Sequence, residues 1–337
     1  MTRFGWAGLV GVLGASWGSS GCGRVDVYAI TSEPVTGATA GHGSTGGAST
    51  GGAPTGGTSS EGGSAGEQSG APSACPSPVW LVGDTPQTVR VGSVDRSYVL
   101  HVPPAYSGRE PVPLIVDFHG IGSTGGDQLS SSPYPAITDP EGVVMAFPDG
   151  TAGPLGPGWN LGPCCVANVD DLAFARALVS DIQRIACIDP ERVYAVGVLT
   201  GGGMAYHLAC RAADVFAAVA PAAFDLLEQT VEDCQPSRPI TVISFRGTED
   251  ARVPYEGGDS SVVPGMPVTF LGARGTFERW AQIDGCTGLA SEEDSNGCSS
   301  YSACSGGVEV ILCTKYGGRE EPGDASIAWP VLRRHSL

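Results

Sequence analysis

The sequence predicts an α/β fold: a doubly wound, mostly parallel sheet that follows a non-globular N-terminal stretch. From about residue 95 onward, short apolar runs that look like buried strands alternate with runs of helical periodicity. This alternation is typical of a parallel sheet with helices on both faces. In addition, His119, Leu199 and Asp250 each follow a strand-like run. In doubly wound sheets, functional sites lie at the carboxyl ends of the strands.

The first 75 residues are predicted to lie outside the globular domain. Residues 1–21 carry one charged side chain, Arg3, and then an apolar, Gly-rich run that is too short for a membrane span and typical of a signal peptide. Small residues precede Cys22, as in bacterial lipoproteins, so we expect lipidation of Cys22 and anchoring to the cell envelope, facing the periplasm or the cell surface. An ordinary secretory signal is the alternative. Residues 22–75 are rich in Gly, Ser and Thr and predict a flexible linker, which leaves 76–337 as one domain.

Charge and cysteine content narrow the functional classes. The formal net charge is −17 and the sole lysine is Lys315, so no basic patch is available for nucleic acid. Ten of the eleven cysteines lie from Cys75 onward, which favours disulfides in an exported protein. Their spacing does not match a zinc site, and we predict neither a metal nor a cofactor. We expect Cys210 to pair with Cys234, and the late group to pair within itself: Cys286, Cys298, Cys304 and Cys313.

The predicted elements follow from apolar runs and their periodicity. A helix is predicted over 169–185, where Asn168, Asp170 and Asp171 supply a cap and negative charge for the first turn. The other predicted elements are strands at 97–102, 113–118, 143–147, 192–196, 240–245 and 308–313, a short apolar run at 216–221, and helices at 202–212 and 276–283.

The most informative segment is Gly197-Val198-Leu199-Thr200-Gly201, between the strand at 192–196 and the helix from Gly202. In a hydrolase, a strand–turn–helix with the pattern G-x-S-x-G lifts a nucleophilic serine to the top of the sheet. The middle residue here is Leu199, which has no lone pair with which to attack a carbonyl. The segment therefore predicts the scaffold of an esterase without its nucleophile.

Further motifs occur in a specific order. They are Asp117-Phe118-His119-Gly120, Phe147-Pro148-Asp149-Gly150, Gly158-Trp159-Asn160, Val169-Asp170-Asp171, Gly201-Gly202-Gly203-Met204-Ala205 and Arg246-Gly247-Thr248-Glu249-Asp250. With these motifs the chain resembles, over about 95–320, the exported polyhydroxybutyrate depolymerase, feruloyl esterase and acetyl xylan esterase group of the α/β-hydrolase superfamily. The resemblance implies an α/β-hydrolase fold, hydrolysis of esters in polyesters or on plant polysaccharides, and catalytic Ser, Asp and His in that chain order.

Carried over to this chain, the family pattern is incomplete. Asp250 stands at the acid position, Leu199 at the serine position and Arg319 at the histidine position. The oxyanion-hole donors implied by the resemblance are the backbone N–H groups of Ile121 and Thr200. Loss of the nucleophile or the base typically costs about 10⁶ in turnover. We therefore expect a pseudoenzyme with a binding or scaffold role toward an ester-bearing polysaccharide or polyester.

Two other functions stay open at this stage. One is an active carboxylic ester hydrolase with non-standard groups, such as the hydroxyl of Thr200 or the imidazole of His207. The other is a purely structural envelope lipoprotein. We further predict that Arg319 forms a bidentate ion pair with Asp250, since arginine can grip a carboxylate that has lost its histidine. His119 is expected to orient the oxyanion loop, and the residues near His335 are expected to be mobile.

Overall fold

The computed structural model describes residues 75–76, 82–260, 263, 265–320 and 322–337. The predicted signal peptide, Cys22 and nearly all of the predicted linker lie outside these residues.

A central sheet with helices on both faces organises the described domain. The strands are, in chain order, β1 (Gly83–Val91), β2 (Val94–Val102), β3 (Val112–Phe118), β4 (Val144–Pro148), β5 (Thr151–Gly153), β6 (Gly156–Gly158), β7 (Ile188–Val198), β8 (Ala218–Ala222), β9 (Thr241–Gly247), β10 (Gly258–Ser260), β11 (Val268–Phe270), β12 (Cys298–Tyr301) and β13 (Val310–Lys315). Nine of them form one sheet in the order β1-β2-β4-β3-β7-β8-β9-β13-β12. The six strands from β4 to β13 in this order run parallel. β2 pairs antiparallel with both β1 and β4, and the edge strand β12 pairs antiparallel with β13.

The helices connect the parallel strands. They are α1 (Gly125–Ser131), α2 (Pro135–Thr138), α3 (Asp171–Ile185), α4 (Thr200–Arg211), α5 (Gly272–Ile283) and α6 (Ala325–Leu332), with 3-10 turns at Asp139–Glu141, Val231–Asp233 and Ser305–Gly307. The predicted cap of α3 is confirmed, because the Asp170 carboxylate accepts the N–H of Ala173 at 2.8 Å. Asp171 is buried instead and accepts from Arg96 and from the Asn160 N–H, which fixes the loop before α3.

The predicted α/β class is confirmed, and each predicted strand and helix is present within a few residues of its predicted bounds. The sequence did not indicate β1, β12, α1, α2, α6 or the two small hairpins, β5–β6 and β10–β11. The edge strand β1 is half-exposed along its whole length, so it has no apolar run. Helix α6 contains Pro330, which normally argues against a helix.

Apolar side chains fill both faces of the sheet. One cluster includes Trp159, Phe174 and Trp280, and the other includes Phe147 and Trp329, all of them at most 2% exposed. Because β3, β7 and β9 are parallel members of the same sheet, their carboxyl ends meet at one edge. That edge carries the residues singled out from the sequence.

Five disulfides hold the described domain together. The predicted Cys210–Cys234 bond is confirmed. The late group pairs within itself, as predicted, through Cys286–Cys304 and Cys298–Cys313. Cys75–Cys187 and the adjacent pair Cys164–Cys165 complete the set. Such a set is typical of an exported protein. Within the described ranges, no helix has the length and apolar character needed to cross a membrane.

Candidate functional site

Leu199 lies at the apex of a strained turn between β7 and α4. Its φ of 55° and ψ of −125° are uncommon for a residue with a side chain. The turn is fixed by its backbone: the Leu199 N–H donates to Ala222 O at 3.0 Å, and Leu199 O accepts the Gly203 N–H at 3.0 Å. A β-carbon on Gly197 would lie 2.6 Å from the Gly201 carbonyl, so this close approach requires glycine. The elbow geometry is thus intact although its apex is leucine.

The leucine side chain occupies the space in which an esterase would place its nucleophile. A β-carbon added to Gly120 would lie only 3.2 Å from Leu199 Cδ1, so the leucine methyl packs against the oxyanion loop. Leu199 also lines a small cavity of about 30 Å³. The remaining walls are mostly apolar and include Ile121, Phe224, Val253, Val263, Met266, Val268, Phe270 and the Cys164–Cys165 disulfide. The two cysteines are adjacent in the sequence, and no sequence pattern predicts their position in this wall.

The two predicted oxyanion donors lie at the same cavity. Ile121 follows the end of β3, and Thr200 is the first residue of α4, where the helix dipole favours negative charge. In the part of the chain that the structure describes, neither N–H donates to another backbone group. The Thr200 hydroxyl is buried and also has no hydrogen-bond partner. This arrangement can bind an oxygen that carries partial negative charge.

His119 holds the oxyanion loop, as predicted from the sequence. Its Nδ1–H donates to Gly120 O at 2.7 Å, and its Nε2 accepts the N–H of Gly150 at 2.9 Å. The ring is fully buried against Trp159, whose indole N–H donates to His119 O at 2.8 Å. Burial lowers the pKa of His119, so the ring is neutral and both nitrogens are engaged. His119 therefore has no free nitrogen with which to act as a base.

Asp250 is buried at the end of β9, but Arg319 does not pair with it, so the predicted ion pair is wrong. Asp250 Oδ1 accepts the N–H groups of Arg252 and Val253, each at 2.9 Å, while Oδ2 is buried with no hydrogen-bond partner. The Arg319 side chain is exposed. Backbone contacts hold its loop beside β9, since the Glu249 N–H donates to Gly318 O at 2.7 Å. The loop thus lies close to the acid position while the guanidinium points to solvent.

Arg246 forms the buried ion pair of this region. The Arg246 guanidinium contacts the carboxylate of Asp225 and donates to Val253 O at 2.6 Å. Both side chains of the pair are at most 1% exposed. Burial lowers the pKa of Arg246. Arg246 belongs to a motif singled out from the sequence, whereas Asp225 was not singled out. The arginine itself indicated a buried ion pair, because a positive charge inside a buried strand requires a carboxylate nearby.

None of the other described histidines hydrogen-bonds to Asp250. His207 faces a different cavity from α4, and burial lowers its pKa. His101 contacts Asp84 at 2.5 Å and Asp139 at 3.0 Å. The expectation of mobility at His335 is wrong, because its ring contacts Glu309 at 3.1 Å. Within the ranges that the structure covers, no group of acidic, histidine or cysteine side chains could hold a metal ion.

Comparison with known proteins agrees with this geometry. The chain is 41% identical to feruloyl esterase B of Piromyces equi over 245 residues, which are 72% of this chain and 46% of that protein. It is 29% identical to the probable feruloyl esterase C of Aspergillus flavus over 170 residues, 49% of this chain and 58% of the relative. The solved acetyl xylan esterase from Aspergillus awamori shares the fold, with a TM-score of 0.54 at 14% identity over 74% of this chain and 99% of the other. No protein-family model matches.

The fold matches that of a solved acetyl xylan esterase, and the turn at Leu199 has the strand–turn–helix geometry of an α/β-hydrolase elbow. The similarity to feruloyl esterases supports an esterase group of the α/β-hydrolase superfamily for this chain. The chain spans about half the length of the curated relatives it matches.

Proposed function

We propose that this protein is a pseudoenzyme of the esterase group, which binds an acyl ester without hydrolysing it. The observation that carries the proposal is Leu199, whose side chain stands at the apex of an intact elbow and packs against Gly120. A serine hydrolase requires a hydroxyl at this apex, a base that takes its proton and an acid that orients the base. A hydrocarbon at the apex removes the first of these groups.

The base is absent as well. Asp250 Oδ2, the oxygen that would hold an imidazole, has no hydrogen-bond partner among the described residues. Arg319 is exposed, and a guanidinium offers hydrogen-bond donors and no acceptor, so Arg319 does not replace the missing base. With two of the three groups missing, any residual rate would come from oxyanion stabilisation and binding alone.

Binding is supported by what is retained. The N–H groups of Ile121 and Thr200 are free of backbone partners and lie at the cavity, so they can donate to an ester carbonyl oxygen. The cavity at Leu199 is small, about 30 Å³, and its walls are mostly apolar, so it favours a short acyl group over a feruloyl ring. The ligand class we propose is therefore a short acyl ester on a polysaccharide, with a polyester as the less favoured ligand.

The N-terminal sequence supports a surface location for this binding. In this proposal Cys22 carries the lipid, residues 22–75 form a tether, and 76–337 form the ligand-binding domain at the cell envelope. A tether of this composition would let the domain sample the space around its anchor.

A second function, an active esterase that uses Thr200, is favoured by one observation. Thr200 Oγ1 is buried at the cavity and makes no hydrogen bond. Against this role, Thr200 lies one residue past the apex, and no imidazole among the described residues hydrogen-bonds to its hydroxyl. The two functions differ in whether a substitution at Thr200 changes turnover.

The test combines binding and turnover on purified protein. Isothermal titration should detect acetylated xylo-oligosaccharides and no binding of the same oligosaccharides after deacetylation. Leu199→Trp, which fills the cavity, should weaken binding about tenfold or more, equivalent to about 1.4 kcal/mol. Leu199→Met is the matched control, because it preserves volume and apolarity. Equal binding of acetylated and deacetylated oligosaccharides, or of neither, would contradict the proposal.

Turnover of p-nitrophenyl acetate and of a feruloyl ester should not exceed that of buffer. A measurable rate that Thr200→Ala abolishes and Leu199→Met leaves unchanged would establish the second function instead.

A further inference from the structure

A cavity of about 440 Å³ lies at the amino end of β9. Its walls come from the segment over 234–239, which leads into β9, and from the last turns of α5. Leu199 and Asp250 lie instead at the carboxyl edge of the sheet, so this cavity is separate from the one at the elbow. We refer to it as the arginine cavity, because Arg238 and Arg279 line it.

Arg238 is a half-buried charge whose acceptors are neutral. One Nη atom donates to Pro239 O, and the other donates to Ser336 O at 3.2 Å. In the part of the chain that the structure describes, these carbonyl oxygens are its only hydrogen-bond acceptors. Each Nη atom carries two hydrogens, so each keeps one N–H for a further acceptor. Charged groups that leave water are normally paired, so Arg238 indicates a place for an anion.

Asp284 does not neutralise Arg238 at mildly acidic pH. The Asp284 carboxyl is fully buried, its Oδ1 accepts the Ile240 N–H at 3.1 Å, and burial raises its pKa to about 7. At a pH of about 6 the carboxyl is therefore mainly protonated, whereas the Arg238 guanidinium remains charged. The positive charge at the cavity is then left for an external anion.

Arg279 brings a second guanidinium to the same cavity, and its contacts within the protein are long. Its side chain is 29% exposed; Nη2 lies 3.3 Å from the Glu232 carboxylate, and Nη1 lies 3.5 Å from Gln282 Oε1. Glu232 is itself 84% exposed, and ion pairs between exposed side chains contribute little to stability. A ligand carboxylate can therefore take the place of Glu232. Two guanidinium groups at one cavity are unexpected in a chain whose formal net charge is −17.

The arginine cavity favours a carboxylate over a phosphate. A carboxylate is planar and matches the fork of N–H donors on a guanidinium, with which it can form two parallel hydrogen bonds. The C-terminal end of α5 lies at the cavity and carries partial negative charge. This charge disfavours a phosphate dianion more than a carboxylate monoanion.

The other polar walls indicate what carries the carboxylate. The amides of Gln235 and Gln282 and the hydroxyl of Ser237 can donate to and accept from the hydroxyl groups of a ligand. A volume of about 440 Å³ is in the range of small-molecule sites, so it can hold a ring as well as its carboxylate. We propose that the arginine cavity binds a uronic acid, a sugar ring with a carboxylate, and that Arg238 and Arg279 hold the carboxylate while the amides and the hydroxyl hold the ring hydroxyls.

Methyl glucuronoside, methyl glucoside and inorganic phosphate form the test set for the ligand. Titration of the full chain at a pH of about 6 and low salt, followed by calorimetry and by NMR shifts, should detect methyl glucuronoside. Methyl glucoside has the same ring without the carboxylate, and it should bind about tenfold or more weakly because it lacks the charge-assisted hydrogen bonds. Phosphate should also bind more weakly. Equal affinities for the two sugars, or no shift with the glucuronoside, would overturn the proposal, and tighter binding of phosphate would overturn the assignment of an acidic sugar.

Two arginines of α5 locate the binding. Arg279→Gln removes a charge that lines the cavity and should weaken the binding of methyl glucuronoside about tenfold or more. Arg274→Gln is the matched control, because Arg274 is 64% exposed on the same helix and lies outside the cavity lining. It causes the same loss of net charge and should bind the glucuronoside as the wild type does. Equal effects of the two variants, or no effect of Arg279→Gln, would contradict the location.

Arg238→Lys keeps the charge but loses the fork of donors, so it should bind the glucuronoside several-fold more weakly. Because Arg238 also donates to Ser336 O, the free energy of unfolding of this variant is measured alongside, and Arg279→Gln tests the site even if Arg238→Lys does not fold. An unchanged affinity in folded Arg238→Lys would contradict the paired hydrogen bonds. Leu199→Trp fills the cavity at the elbow and should leave glucuronoside binding unchanged, so this inference and the proposed function can fail independently.

Discussion

The side chain of Leu199 packs against Gly120, with Cδ1 3.2 Å from the point where a β-carbon of residue 120 would stand. One residue is the apex of the nucleophile elbow and the other belongs to the oxyanion loop. A serine has no atom at the δ position, so the space between them would open if the leucine were replaced. The backbone around both residues has the geometry of an esterase site. The side chain at the apex lacks the group that hydrolysis requires.

Restoring the two missing side chains is therefore expected to restore hydrolysis. The double variant Leu199→Ser/Arg319→His places a hydroxyl at the strained apex and an imidazole on the loop that packs beside β9. Asp250 Oδ2 is unpartnered and can accept the imidazole N–H. We expect p-nitrophenyl acetate turnover at least about 10²-fold above either single variant, since the groups act as a unit. Leu199→Ala/Arg319→His serves as the control; a rate equal to that of the double variant would refute a serine nucleophile.

Arg246 and Arg319 are expected to differ sharply in their contribution to stability. Arg246→Met leaves the buried Asp225 carboxylate without its partner and should cost about 3–5 kcal/mol in the free energy of unfolding. Arg319→Ala removes an exposed side chain and should stay within about 0.5 kcal/mol. Urea unfolding monitored by circular dichroism measures both. In addition, Arg246→Met/Asp225→Asn should cost clearly less than the sum of its single variants, and strict additivity would show that the two residues are not coupled.

The strands of the fold were predictable because buried parallel strands are continuous apolar runs. β4 and β8 are buried at every position, and the sequence shows both of them as uninterrupted apolar segments. The hairpin β5–β6 consists of two three-residue strands with four glycines or prolines among their residues, and no period can be detected over such lengths. Its formation depends on the tertiary contacts around it.

The sequence also predicted which residues meet at the site, because they follow parallel strands. It did not predict the contacts of their side chains. His119, Leu199 and Asp250 each follow a parallel strand, so topology alone brings them to one edge. Whether Arg319 points toward Asp250 depends on the course of the loop after β13, and no local pattern encodes that course. Arg246 lies on β9, and Asp225 lies shortly after the neighbouring strand β8. Predicting this pair therefore required knowledge of the strand order.

Cys22 is expected to carry lipid when the full chain is expressed in a bacterial host. The ten other cysteines form five disulfides, so Cys22 is left over, and small residues precede it. Labelled fatty acid should enter the wild type and not Cys22→Ser. The unfolded, unreduced protein should show no titratable thiol. Equal labelling of both proteins would contradict lipidation at Cys22, and eight or more free thiols would contradict the disulfides.

Asp284 should make a contribution to stability that falls as the pH rises from about 4 to about 7. This carboxyl is fully buried; Oδ1 accepts the Ile240 N–H at 3.1 Å, and Oδ2 has no hydrogen-bond partner. Burial raises the pKa of Asp284 to about 7, although the charge of Arg238 opposes this shift. In the unfolded chain an aspartate has a pKa near 3.9, so between the two values the folded state keeps a proton that the unfolded state has lost. Stability then decreases with rising pH and levels off above the folded-state pKa.

Asp284→Asn tests this directly, because the amide keeps the shape and the acceptor but cannot ionise. The difference in unfolding free energy between the variant and the wild type should move in favour of the variant from pH 5 to pH 8, whatever constant cost the amide brings. Glu278→Gln, an exposed carboxyl on α5 in the same region, is the matched control and should give a flat difference. Asp117, whose pKa burial also raises to about 7, contributes equally to both proteins and cancels in the comparison. If the difference for Asp284→Asn stays constant across this range, Asp284 does not carry the pH dependence.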